Sequence, residues 1–134
     1  TVGRAARLAP STLAQRFGTV ATMRAAALCA GWQAVIDATA AALEAAADKG
    51  PQGVLKALDA VASPVPALLR ATTDDEGRAL AQTWRTTVEA ALAARLGQGD
   101  KAREGAAILF AAWQGQILWG GEAFRVKDAV KRLT

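Results

Sequence analysis

Ser11, Thr12, Gln15 and Arg16 lie close together near the start of the chain, and their side chains are of the types that reach base edges and phosphates. Arg4, Arg7 and Arg24 flank them, and no acidic residue falls within residues 1–24. The formal net charge of the 134-residue chain is +4, so these four arginines account for all of it. A cationic end on a near-neutral body is the footprint of a polyanion-binding segment. The plainer alternative is that the arginines are solvated on a short helix.

Other chemistry is excluded or weakly represented. The chain has no His and no Tyr. A Ser-His or Cys-His pair and a histidine metal site are therefore absent. Cys29 is the one cysteine, so no internal disulfide forms. It lies three residues from Trp32 on an apolar stripe, which reads as a buried thiol. Asp74, Asp75 and Glu76 form a small acidic cluster, but acids favour the positive end of a helix, and they stand where one begins. Gly97 and Gly99 follow no strand and make no phosphate loop. With no paired acid and base, the expectation is a protein that is not an enzyme, with no cofactor and no metal.

The elements that must carry these residues are helices. Hydrophobic residues make up 52% of the chain, but alanine supplies many of them and aromatics only 5%, which favours helix. β-branched residues never alternate over a useful length, so the fold class is all-α. A short helix is expected over residues 1–8. Pro10 and Ser11 restart the chain as a second short helix over residues 11–17. Gly18 and Thr19 should end that helix, and a long one should follow over residues 20–48, with Cys29, Trp32, Ile36, Ala40 and Leu43 as its apolar stripe.

Gly50 and Pro51 stop the long helix. A helix over residues 53–61 follows, then a break at Ser63, Pro64 and Pro66 and a short turn of helix to Arg70. Thr73 with Glu76 reads as a capping box opening a helix to Leu96, striped by Leu80, Trp84, Val88 and Leu92. The last two helices should cover residues 101–119 and 122–133. The longest uncharged run, residues 105–121, is interrupted by Gly and Gln and falls short of the ~20 apolar residues of a membrane span. The first residues lack the apolar run of a signal peptide. A cytoplasmic protein with no membrane partner is expected.

Two short helices, a tight turn and a long helix have helix-turn-helix spacing. Val2, Ala6, Leu8, Leu13 and Phe17 can lock the helices together, which turns Ser11, Thr12, Gln15 and Arg16 elsewhere. The run V-G-R-A-A-R-L-A-P-S-T-L-A-Q-R-F-G, residues 2–18, resembles the helix-turn-helix of TetR/AcrR-type transcriptional regulators. Thr12, Leu13 and Phe17 match in register, and Pro10 and Gly18 fit common choices of the family. Arg7 stands where the family usually has a turn glycine, Ala14 where it has Tyr, Arg16 where it has His, and Val20 where it has a phosphate-holding Lys. The chain begins inside the motif, which implies a form lacking the family's first helix.

The resemblance implies two parts. Residues 1–24 would be a partial DNA-binding domain and the start of the linking helix, with Arg4, Ser11, Thr12, Gln15, Arg16 and Arg24 facing DNA. Residues 25–134 would be a helical effector-binding and dimerisation domain. In the family the core helices enclose a small-molecule pocket. The matching candidates are Trp32, Ile36, Leu55, Leu69, Trp84, Val88, Phe110 and Trp113, with Gln33 and Gln114 as polar contacts. The plainer alternative is that these apolar residues are core.

The helix expected over residues 101–119 has two apolar faces. Phe110, Trp113 and Ile117 make one of them bulky and suited to the protomer's own core. Ile108, Ala111, Ala112, Gly115 and Trp119 form the other, whose small middle admits another helix. With Phe124, Val126 and Val130 of the last helix it would make a symmetric homodimer interface; the alternative is a monomeric bundle. Together these readings lead to a DNA-binding regulator, a repressor, that binds a double-stranded operator and answers to a largely apolar small-molecule effector. The alternative is a helical ligand-binding or protein-interaction module of the same fold without significant DNA binding.

Overall fold

The computed structural model describes residues 10–119 and 126–133, with side chains over residues 18–119 and at 128 and 130–132. Among them are six helices and no strand: α1 (Pro10–Ala45), α2 (Pro51–Leu58), α3 (Val65–Ala71), α4 (Asp75–Leu96), α5 (Gly99–Trp119) and α6 (Val126–Leu133). The all-α expectation holds. The expected helix over residues 1–8 lies outside the described residues.

The start of α1 differs from expectation. Pro10 does open a helix, but that helix runs unbroken to Ala45 and the expected turn at Gly18 and Thr19 is not there. The Thr22 hydroxyl donates to the Gly18 carbonyl at 2.8 Å, one helical turn back. A glycine inside a helix costs only about 1 kcal/mol relative to alanine. Among the described residues nothing lies within 4 Å of where a Gly18 Cβ would sit.

α1 ends at Ala45, and a turn follows in which the Lys49 amide donates to the Ala46 carbonyl at 2.9 Å. Arg95 of α4 reaches this end. Its Nε donates to the Lys49 carbonyl at 2.9 Å and its Nη2 to the Ala46 carbonyl at 3.2 Å. A cation there satisfies orphan carbonyls and meets the negative end of the helix dipole.

Pro51 begins α2, which buries Val54, Leu55 and Leu58. Pro64 precedes α3, whose Leu68 crosses α1 at Gly31. A Cβ on Gly31 would lie 2.8 Å from Leu68 Cδ2, so the missing side chain lets the two helices approach. Asp74, rather than Thr73, caps α4: its Oδ1 accepts from the Gly77 amide at 3.0 Å. Aspartate is the better cap, and Asp75 and Glu76 follow in the first turn at the positive end. Gly97, at φ +133°, ends α4 in a conformation that side chains resist, and Gly99 at φ +82° turns the chain into α5.

α4 is the central helix. It packs along α1 on one side and α5 on the other; α5 carries α6, and α2 bridges α1, α4 and α6. The inward seam of α1 is Trp32, Val35 and Thr39, continued by Ala46 in the turn after it, with Ile36 and Leu43 beside it and Ala40 left exposed. Trp84, Val88 and Leu92 of α4 are buried as their spacing predicts, with Leu80 half-buried.

Three tryptophans knit the bundle. Trp32 Nε1 donates to Thr72 Oγ1 at 2.9 Å, Trp84 Nε1 to Thr39 Oγ1 at 2.9 Å and Trp113 Nε1 to Asp59 Oδ1 at 2.7 Å. Each bond joins two separate segments and satisfies a donor whose burial unpaired would cost about 1–3 kcal/mol. Trp84 is the hub, its ring centroid 6.3 Å from Trp32, 5.5 Å from Phe110 and 6.1 Å from Trp113.

One stretch among the described residues, Gly18–Ala45 of α1, is long and apolar enough by length and composition to cross a membrane, with mean hydropathy 1.3. It is not the run singled out at residues 105–121. A core helix and a signal sequence satisfy the same test, and here Trp32 and Thr39 of that stretch turn inward to bond Thr72 and Trp84.

Candidate ligand-binding site

At the α3 end of the bundle the helices part. Ala81 lies one turn before Trp84 on its side of α4, and Arg78, Gln82 and Arg85 share a face with Ala81 at i, i+3, i+4 and i+7 spacing. α3 supplies Leu69, Thr72 follows its end, and α5 supplies Phe110 and Gln114. Together they enclose a cleft of about 520 Å³, within the range of small-molecule sites.

The floor is apolar and aromatic. Trp84 and Phe110 meet edge to face at 5.5 Å, and the Phe110 ring is held in turn against Trp113 at 6.1 Å. The rim is cationic: Arg78 and Arg85 line the cleft and no Asp or Glu does. Arg85 Cζ sits 5.5 Å above the Phe110 ring, while its Nε pairs with Glu89 at 3.1 Å. Arg78 pairs with Asp75 at 3.5 Å in the open. Exposed pairs of this kind contribute about 0–1 kcal/mol and leave both guanidiniums open to a better partner.

The polar atoms differ in what they have left to give. The Thr72 hydroxyl accepts from Trp32 Nε1 and donates to the Leu68 carbonyl at 2.6 Å, so its donor is spent. Gln82 Nε2 donates to Thr86 Oγ1 at 3.4 Å. Gln114 Nε2 is shut away from solvent and has no hydrogen-bond partner among the described residues. A buried amide donor without a partner is costly and rare.

Of the ten residues expected to line a pocket, Leu69, Trp84, Phe110 and Gln114 do so. Trp32, Leu55, Val88 and Trp113 are buried in the core instead, and Ile36 packs half-buried against it. Gln33 is exposed and bonds Asp37 one turn along α1 at 2.9 Å. Thr72, Arg78, Ala81, Gln82 and Arg85 were not foreseen. Their signal was present in the i, i+3, i+4, i+7 spacing of Arg78, Ala81, Gln82 and Arg85, which gives them one face of α4.

The residues expected at DNA fall mainly where no side chain is described. Arg4 lies outside the described residues; Ser11, Thr12, Gln15 and Arg16 lie on the first turns of α1, with their side chains outside the description; Arg24 is exposed. The expectation that residues 11–17 form a helix separate from the linking helix is corrected by the unbroken α1.

The two faces of α5 sort as their composition predicts. Phe110 and Trp113 are buried, whereas Ile108 is 54% exposed, Leu118 59% and Trp119 86%. Ala111 is exposed, Ala112 and Gly115 are half-buried, and nothing lies within 4 Å of a Gly115 Cβ. Val130 belongs to the protomer's own core rather than to the outer face expected of it, because α6 packs on α5 and α2. Phe124 and the side chain of Val126 lie outside the described residues.

A second cleft of about 480 Å³ at the α4–α5 turn is lined by both charges, among them Lys101 and Glu104, and its Arg95 is already committed to the end of α1. Among the described residues no cluster of acidic or sulfur side chains could hold a metal ion. No family model matches the chain, and no curated protein or solved structure matches it.

Proposed function

We propose that this chain is the small-molecule-binding part of a helix-turn-helix transcriptional regulator of TetR type, a repressor that works as a homodimer on a double-stranded operator. The cleft beside Trp84, Phe110 and Gln114 carries this reading: it lies between bundle helices, has an apolar floor and keeps a buried donor unspent. The DNA-binding side rests on the resemblance over residues 2–18 and on the arginines of residues 1–24. The dimer rests on the open face of α5, where Ile108, Leu118 and Trp119 have no cover among the described residues.

A ligand in the cleft touches α3, α4 and α5, and α4 packs along α1. Ligand binding would thus shift α1, provided the ligand prefers one of two arrangements. The unbroken helix through Gly18 favours a second reading, a ligand-binding module without DNA affinity, because a recognition helix needs a turn before the linking helix.

DNA titration at several salt concentrations separates the two. The regulator reading expects tight, sequence-dependent binding to DNA from its own upstream region, weakening steeply with salt. Equal and feeble binding to that DNA and to an unrelated duplex at low salt would leave the module reading standing alone.

A further inference from the structure

We infer that the cleft takes an amphipathic carboxylate, an acid group on an apolar body, with the head group held between Arg78 and Arg85. This rests on the small-molecule reading above and goes further, to the chemical class of the ligand.

The first argument is the donor inventory. Arg78 and Arg85 offer only N–H donors, and the Gln114 amide adds a buried one that is unpartnered. No carboxylate lines the cleft, and the Thr72 donor is spent on Leu68. A lining rich in donors is completed by a ligand group that only accepts, and a carboxylate is such a group. Its two coplanar oxygens also match the fork of a guanidinium. A cationic ligand would meet two like charges, and an uncharged apolar one would leave Gln114 unpaired.

The second argument is register. α4 and α5 are antiparallel neighbours in which Trp84 lies against Phe110 and Trp113, and a Gly105 Cβ would meet Leu96 at 3.0 Å. The same register brings Gln114 level with Ala81 and Gln82. At a rise of 1.5 Å per residue, that level is roughly 5 Å along the axis from Arg78 and from Arg85. One head group beside Gln114 is thus within reach of both arginines. Arg85 is already steadied there by the Phe110 ring at 5.5 Å and by Glu89 at 3.1 Å. The apolar body then lies over Leu69, Trp84 and Phe110.

The test is binding of three ten-carbon probes, decanoate, decanol and decylamine, each below its micellar concentration, followed by calorimetry and by the fluorescence of the buried tryptophans. Decanoate is expected to bind at least about tenfold more tightly than decanol, the ratio that one charge-assisted hydrogen bond supplies, and decylamine most weakly. In the double variant Arg78→Gln, Arg85→Gln the preference for the acid should vanish while decanol binding stays. Both side chains are mostly exposed, so the fold should survive, and circular dichroism checks this. Gln114→Leu should lower decanoate affinity and leave decanol unchanged or tighter. Equal binding of acid and alcohol to the unmodified protein would overturn the carboxylate inference and leave the small-molecule reading intact. Failure of all three probes to bind would overturn the inference and count against the small-molecule reading as well.

Discussion

The two faces of α5 are built from similar residues and meet opposite fates. The inward face carries Phe110 and Trp113, and the outward face carries Ile108, Leu118 and Trp119. Apolar character therefore does not separate them. Partners do: Trp113 finds an acceptor in Asp59 and aromatic neighbours in Trp84 and Phe110, whereas Trp119 is 86% exposed. A large indole becomes core when other segments supply both a packing surface and an acceptor for its N–H. Among the described residues nothing supplies them to Trp119, and that face stays open.

Removing the inward indole should have the largest effect. Trp113→Ala would open a cavity beneath Trp84 and Phe110 and leave Asp59 without its donor. A loss of about 3–5 kcal/mol is expected, read as a fall in the urea midpoint. A loss below about 1 kcal/mol would mean that the inward face is no more committed than the outward one, and the contrast would fail.

A smaller effect isolates the hydrogen bond from the packing. Thr39→Val keeps the volume of a fully buried side chain but removes the acceptor for Trp84 Nε1. The expected cost is about 1–3 kcal/mol, the penalty for a buried donor left unpaired. The matching change at Thr72 should cost less, since Thr72 is only half-buried. A cost-free Thr39→Val would show that packing alone sorts the tryptophans.

How much of this was legible beforehand depends on the kind of information. The stripe Trp84, Val88 and Leu92, the stops at Pro51 and Pro64, and the glycine turn before α5 were readable because each is local. The two-faced character of α5 was readable from its wheel. The continuity of α1 through Gly18 was not, because a glycine punctuates a chain only when something else holds the turn, and among the described residues nothing lies within 4 Å of a Gly18 Cβ. The cap on α4 was missed by one residue, with Asp74 displacing Thr73. In the cleft, periodicity shows which residues share a face but not where two faces fail to meet. Leu69, Trp84, Phe110 and Gln114 are among the expected lining residues, while nothing in the spacing alone sets Arg78 and Arg85 apart from other surface cations.

The outward face gives the third measurement. Trp119→Ser should change the stability of the fold by no more than about 0.5 kcal/mol, as for other exposed sites without partners. Its effect should appear in association. On the dimer reading, the unmodified protein sediments as a dimer and Trp119→Ser, or Ile108→Lys, shifts it toward monomer. A monomeric unmodified protein would remove the explanation offered for that face.

Cys29 of α1 lies between the two extremes and gives the smallest effect. Its thiol is half-buried, with the carboxylates of Glu76 and Asp74 at the start of α4 nearby. Partial burial first, then the negative charges of Glu76 and Asp74, push its pKa above the ordinary thiol value. A group whose pKa is raised on folding contributes stability that is present below its unfolded pKa and lost as pH rises through the folded one. Stability should therefore decline slightly on the alkaline side of the ordinary thiol range, and Cys29→Ser should flatten that decline. The reactive species is the thiolate, so alkylation of Cys29 by iodoacetamide in the folded protein should lag that of the unfolded chain at the same pH. Restricted access to the thiol would also slow the reaction, but by a factor independent of pH. Glu76→Gln isolates the contribution of the charge: it removes a carboxylate from an exposed side chain, and it should move the pH midpoint of alkylation downward while leaving the limiting rate at high pH unchanged. An unmoved midpoint would remove the Glu76 charge as a cause and leave burial and Asp74 to account for the shift.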